Sequence, residues 1–212
     1  MIRVFVADDH PLIRRGLRDL LTDEGDIKVV GEAADASEVA DALPSLAGAE
    51  VLVLDYSMPG RSGLDLIADV RKQAPHCAIL MLSMHPEDRF ALRAFRAGAA
   101  GYLTKDTAPE EIVLAIRKVS TGRKYVSANL AEQLAVVSAG NRRENLPHQL
   151  LSDREFQVMC MIAGGKRVRE IADDLRLSFR TINTFRARIL KKMRMRSNVE
   201  LTHYALEHKL IE

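Results

Sequence analysis

Cysteine is almost missing from this chain. Two occur among 212 residues, Cys77 and Cys160, far apart and each within an apolar segment. They show no metal-ligand spacing and read as reduced core residues of a cytoplasmic protein. No apolar run comes near the roughly 20 residues that a membrane-crossing helix requires. Before Asp8 the N-terminus offers one arginine and a few apolar residues, too short for the apolar region of a secretory signal. A strong overall charge is lacking as well, with 31 Lys+Arg against 29 Asp+Glu for a net +2. What remains is 47% hydrophobic and 28% charged, the ordinary balance of a soluble globular protein with one large domain or two modest ones.

The small net charge hides an asymmetry. Residues 1–150 carry 18 Lys+Arg and 21 Asp+Glu, a net −3, whereas residues 151–212 carry 13 and 8, a net +5. Between Lys166 and Arg196 stand 11 basic and three acidic side chains. A basic back half suits a polyanionic partner, although a solvated basic face would have the same composition.

Along the first half, short apolar runs at 3–7, 28–32, 51–54, 78–82 and 101–103 alternate with stretches of helical periodicity at 12–21, 37–46, 64–72, 90–97 and 110–119. Near-continuous apolar strands alternating with amphipathic helices predict a parallel sheet covered on both faces. Five such units in about 125 residues make a flavodoxin-like, doubly wound α/β fold. Residues 128–137 could form a short helix, and 138–148 (SAGNRRENLPH) have linker composition. From Leu151 onward the pattern is all-helical. The expected division is therefore an α/β domain at 1–125, a linker at 126–148 and a small helical domain at 149–212.

The stretch VFVADDHP breaks the first strand's pattern, because the run ends on two adjacent carboxylates, Asp8 and Asp9. Taken alone, the pair is compatible with the start of a helix at Pro11, and His10 with a helix-start residue. In a doubly wound sheet, however, ligands bind at the carboxyl ends of the strands where strand order reverses. The third strand runs directly into Asp55, so three carboxylates should meet at one rim and repel one another unless a cation joins them. Oxygen ligands with room for water suit Mg²⁺. The fourth strand ends at Ser83, and the fifth is followed by Thr104 and Lys105. Three acids, a hydroxyl and an ammonium can hold a phosphoryl group while one carboxylate attacks phosphorus. Asp55, alone on its strand and followed by a loop at 56–63, is the best nucleophile.

The ordered set DDH at 8–10, DYSMPGRSG at 55–63, LSM at 82–84 and AGAAGYLTK at 97–105 closely resembles the receiver domain of bacterial two-component response regulators. The resemblance implies that Asp55 accepts a phosphoryl group from a histidine kinase or a small phosphodonor. It further implies that Asp9, Asp55 and the backbone carbonyl of Ser57 hold Mg²⁺, with Asp8 helping through water. Lys105 should contact the phosphoryl group, and Ser83 and Tyr102 should form the switch pair that reports it. Met84 stands where the family often has a smaller residue, and Ser57 at a position that tunes phosphoryl lifetime. A phosphatase is the enzymatic alternative, but its D-x-D pattern is absent because Ser57 occupies the second acid's place. A binding module regulated without phosphate is the other alternative.

In the back half, LSDREFQVMCMIAGG reads as a helix opened by an S-x-x-E capping box at Ser152 and Glu155 and closed by Gly164-Gly165. A second helix carries Val168, Ile171, Ala172 and Leu175, and Ser178 can cap a third that starts near Arg180. In that third helix Ile182, Phe185, Ile189 and Met193 recur at core spacing. The opposite face shows Arg180, Thr184, Ala187 and Lys191, flanked by Asn183, Arg186, Arg188 and Lys192. Small, hydrogen-bonding side chains ringed by cations suit a helix in the DNA major groove, the second helix of a helix-turn-helix.

Here too the residues carry a resemblance. LSDREFQVMCMIAGG, REIADDLRLS, RTINTFRARILKKM and RSNVEL are similar to the LuxR-type DNA-binding domain, and the whole chain to NarL/FixJ-type response regulators. By that resemblance Asn183, Thr184 and Ala187 are recognition positions, with asparagine and phenylalanine at 183 and 185 where the family commonly has lysine and histidine. The final helix, 198–208, would be a dimer contact. The expectation is a cytoplasmic, non-enzymatic transcription factor that is phosphorylated with Mg²⁺, dimerises on phosphorylation or DNA binding, binds double-stranded DNA and contacts RNA polymerase.

Overall fold

The computed structural model describes residues 1–58, 61, 63–127, 130–132 and 146–211. Two compact units emerge, Met1–Gly140 and Asn141–Glu212.

In the first unit, β-branched and leucine-rich runs form five strands: β1 (Ile2–Ala7), β2 (Ile27–Ala33), β3 (Val51–Asp55), β4 (Ala78–Ser83) and β5 (Gly101–Thr104). Every pairing is parallel, and the strand order is β2-β1-β3-β4-β5. All five residues of β3 are buried, as a central strand covered on both faces requires. The helices are α1 (Pro11–Thr22), α2 (Ala36–Asp41), α3 (Leu43–Leu46), α4 (Gly63–Gln73), α5 (Glu87–Ala97) and α6 (Pro109–Ser120). On one face Val4, Val6, Val51, Val53, Leu80 and Leu82 pack with Leu17 and Leu21 of α1 and Ile112, Ile116 and Val119 of α6. This is the doubly wound fold expected from the sequence. Because β2 and β3 flank β1 on opposite sides, the chain reverses its winding at β1 and β3, which opens a crevice at their carboxyl ends.

Two local differences have physical causes. The helical stretch at 37–46 is broken into α2 and α3, because Pro44 has no N–H for the Ala40 carbonyl and its ring would strike it. β1 ends at Ala7 as expected, whereas β2 to β5 end one residue later than their apolar runs suggest, so that Asp55 and Ser83 are themselves strand residues.

The second unit is helical among its described residues. After a 3₁₀ turn at Pro147–Leu150 come α7 (Asp153–Ala163), α8 (Val168–Asp174), α9 (Phe179–Met193) and α10 (Asn198–Glu207). The capping box is formed: the Glu155 N–H donates to Ser152 Oγ at 3.3 Å, and the Ser152 N–H donates to Glu155 Oε2 at 2.8 Å. Ser178 caps α9, accepting from the Thr181 N–H at 3.0 Å. Phe156, Met159, Ile162, Ile171, Ile182, Ile189, Met193, Leu201 and Ala205 are buried. The helix suggested at 128–137 and the linker at 138–148 fall largely outside the described residues, apart from helical 130–132 and the turn at the linker's end.

Candidate functional site

The carboxyl ends of β1, β3, β4 and β5 converge on one buried cluster of charges. Asp8 and Asp55 are each 1% exposed. Lys105, just past β5, places Nζ 2.7 Å from Asp8 Oδ2 and 2.9 Å from Asp55 Oδ2. Its main-chain N–H donates to the Ser83 carbonyl at 2.8 Å, which fixes the lysine's origin beside β4. The second oxygen of Asp55 accepts from the Ser57 N–H at 3.0 Å. The Tyr56 N–H donates to Leu82 O and the Gly63 N–H to Tyr56 O, both at 3.0 Å, so the loop leaving β3 folds back across the strand end. Gly63 is required there, because a Cβ would lie 2.2 Å from the Asp55 carbonyl oxygen. Pro59, Gly60 and Ser62 of that loop lie outside the described residues.

The electrostatics follow from this geometry. Burial, and then the negative charge of Asp8, push the Asp55 carboxyl up to about 6 against the pull of Lys105 and the Ser57 N–H. Burial also opposes the charge on Lys105, but Asp55 and Asp8 outweigh it and hold the ammonium above the ordinary lysine range. One ammonium thus neutralises part of an acidic pocket that retains a need for positive charge.

Asp8, Asp9, His10 and Asp55 each present a ligand atom within 4.8 Å of the others'. This donor set, mostly carboxylate oxygen, fits a hard divalent cation. His10, read from the sequence as a helix-start residue only, is part of this group. Its ring Nδ1 lies 2.7 Å from Asp9 Oδ1, and its main-chain N–H donates to Asp8 Oδ1 at 2.8 Å.

Ser83 and Tyr102 are fully buried. Ser83 Oγ accepts from the His85 N–H at 3.0 Å, and the Tyr102 hydroxyl donates to the His85 carbonyl at 2.9 Å. Tyr102 therefore points inward. Its hydroxyl already has an acceptor there, which is what lets a tyrosine be buried. His85 also sits 3.2 Å from Ser57 Oγ through Nε2, stacks on Phe90 at 4.4 Å between centroids, and meets Tyr56 edge-on at 5.3 Å. His85 carries no signal in the amino-acid sequence, because two of its contacts are made by main-chain atoms that any residue has.

In the second unit, Arg180, Thr184, Ala187, Arg188 and Lys191 are exposed along α9, with Asn183 half-buried beside them. The three cations have no ion-pair partner among the described residues. A cavity of about 350 Å³ on this face is lined by Ser178, Arg180, Thr181, Thr184, Phe185 and Arg188. Phe185 lines it half-buried instead of joining Ile182, Ile189 and Met193 in the core. Arg186 and Lys192, which the sequence suggested as flanking cations, have internal partners: Arg186 Nε donates to Asn198 Oδ1 and Lys192 Nζ to Glu155 Oε2. On α10, Leu201 and Ala205 face the core, leaving Val199 and Leu206 77% and 51% exposed.

Comparison with known proteins accounts for both units. A family model of the response regulator receiver domain matches residues 4–117, and one of bacterial regulatory proteins of the luxR family matches residues 149–205. The chain is 40% identical over 210 residues to the response regulator UvrY of Escherichia coli, covering 99% of this chain and 96% of that protein. It is 39% identical over 212 residues to the response regulator GacA of Pseudomonas aeruginosa, covering 100% and 99%. Among solved structures it is similar to RcsB of Salmonella enterica serovar Typhimurium bound to promoter rprA in the presence of the phosphomimetic BeF₃⁻. That likeness has 28% identity, a TM-score of 0.64, and coverage of 96% of this chain and 97% of that one.

Proposed function

This chain belongs to the response regulators that join a receiver domain to a LuxR-type DNA-binding domain, and from that premise we propose that Asp55 is its phosphoacceptor and α9 its DNA-recognition helix. Mg²⁺-dependent aspartate phosphorylation is typical of the family. The observation that carries the reading is the meeting of Asp8, Asp9, Asp55, Ser83 and Lys105 on four strand ends.

An Asp55 carboxylate oxygen attacks phosphorus of a phosphohistidine on a cognate kinase, or of a small phosphodonor. The bond from phosphorus to the donor breaks and an acyl phosphate forms. When bound, Mg²⁺ neutralises charge on the carboxylates and on the transferred oxygens; Asp9, Asp55 and the Ser57 carbonyl would hold it, with Asp8 acting through water. Lys105 supplies the ammonium that meets the added phosphoryl charge. Ser83 Oγ, whose acceptor side is taken by the His85 N–H, has its proton to donate to a phosphoryl oxygen. Ser83 and Tyr102 form the switch pair that reports the phosphoryl group.

Residues 1–125 are assigned to the receiver, 126–148 to the linker and 149–212 to the DNA-binding domain. In the latter, Arg180, Arg188 and Lys191 hold phosphates of double-stranded DNA while Asn183, Thr184 and Ala187 face base edges. That RcsB, to which this chain is similar, is bound to promoter rprA in its solved structure supports DNA as the partner of this domain. The exposed Val199 and Leu206 on α10 support a homodimer formed on phosphorylation or DNA binding, and RNA polymerase is a further partner. No helix among the described residues is long and apolar enough to cross a membrane, and the proposed location is the cytoplasm. The role is regulatory, without turnover of an external substrate.

Acetyl phosphate with Mg²⁺ tests the reading directly. The wild-type protein should shift on a phosphate-affinity gel and Asp55→Asn should not; equal incorporation by both would place the acceptor elsewhere.

A further inference from the structure

The exposed face of α9 offers more apolar surface than its polar residues suggest. Phe179, the first helical residue, is 54% exposed and lies one turn before Asn183, beside Arg180. Asn183 Nδ2 donates to the Phe179 carbonyl and Thr184 Oγ1 to the Arg180 carbonyl, each at 3.0 Å. These bonds commit the threonine proton and one amide proton to the helix itself. Thr184 and Ala187, both exposed, bring methyl groups to the face bordered by Arg180, Arg188 and Lys191, and the Phe179 ring stands at the N-terminal edge of that face, one turn before Asn183.

A single exposed ring needs no explanation on an ordinary surface. On a face whose cations select a polyanion it has a specific counterpart: the 5-methyl group of thymine, the apolar feature displayed in the major groove. The N-terminal residues of a recognition helix are the ones that reach base edges. We propose that Phe179 is a specificity-determining residue that packs against a thymine 5-methyl group in each half-site. The proposal rests on α9 being the recognition helix and adds to it a contact outside the polar set.

The test uses the full-length protein, activated with beryllofluoride and Mg²⁺, to select duplexes from a random pool. The recovered consensus becomes the probe, with thymines replaced by uracil one position at a time and binding read by fluorescence anisotropy. One replacement in each half-site should weaken wild-type binding about fourfold, the worth of one buried methyl-sized group. Phe179→Ala should bind the thymine and uracil versions of that position alike, and Phe179→Leu should recover part of the discrimination. Undiminished discrimination by Phe179→Ala overturns the proposal, as does a loss equal on every sequence, which would mean contact with the sugar–phosphate chain alone. Failure of the wild-type protein to recover any consensus would instead remove the premise that α9 reads DNA, so the two failures are separable.

Discussion

At the rim of the sheet, the side chains of Asp8, Asp55 and Lys105 are no more than 2% exposed and bonded to one another, while along α9 Arg180, Arg188 and Lys191 face water with no ionic partner among the described residues. The same residue types serve opposite purposes because of where they sit. Buried charge is costly unless its partners are fixed in advance, so the rim is rigidly specified and sensitive to single substitutions. Exposed charge is cheap to display and weakly coupled to the fold, so α9 can be redrawn without unfolding the protein. Chemistry on a small ion belongs in the first setting, and recognition of a long polyanion in the second.

The contrast is most exposed to refutation at its lysine. Lys105→Ala would leave two buried carboxylates facing each other, a loss on the order of 3–5 kcal/mol for breaking a buried pair. Urea unfolding should show it, with partial recovery on adding Mg²⁺ or in the Asp55→Asn background. Stability equal to wild type would mean that the rim is as loosely coupled as α9. A smaller effect is expected at Gly63, where a methyl would have to push aside the Asp55 carbonyl. Gly63→Ala should cost about 1–3 kcal/mol and slow phosphoryl incorporation along with it.

The third prediction concerns pH. The Asp55 carboxyl titrates near the ordinary value of 3.8 when unfolded and at about 6 when folded. Between those values the folded protein holds the extra proton, so this group's contribution favours folding at low pH and is lost as pH rises through about 6. Relative to Asp55→Asn, metal-free wild type should therefore lose stability across that window. Mg²⁺, which binds the ionised carboxylate, should move the loss to lower pH. Phosphorylation by acetyl phosphate, carried out with Mg²⁺, should rise over that lower range as the nucleophile ionises. The least perturbing change is on the other side of the comparison. Arg188→Ala should alter stability by less than about 0.5 kcal/mol, yet lower the slope of log affinity against log salt by about 1, uniformly across DNA sequences.

Much of this contrast is legible in the chain. The near-continuous apolar runs and the helical periodicity between them locate the five strands and their covering helices, and the acids that interrupt apolar runs at Asp8, Asp9 and Asp55 mark the rim. The capping residues Ser152, Glu155 and Ser178 announce the helices of the second unit. Less legible is whatever depends on partners distant in sequence. His85 ties Ser83, Tyr102 and Ser57 together largely through its main chain, which leaves no compositional trace. Arg186 and Lys192 look like their neighbours on α9 until Asn198 and Glu155 are seen to hold them. Val199 and Leu206 pass for core by spacing alone, and only the burial of Leu201 and Ala205 shows which side of α10 is inward.

The ammonium of Lys105 has one further consequence. Because a tethered cation already sits among the acids, a divalent ion drawn to Asp8, Asp9 and Asp55 would compete with it and not fill a bare pocket. Such competition would set a ceiling on how tightly the ion could be held, since part of what it gained the lysine would give up. The resident side chain would thus keep a bound ion replaceable, and a pocket of unpaired carboxylates would surrender its guest far less readily.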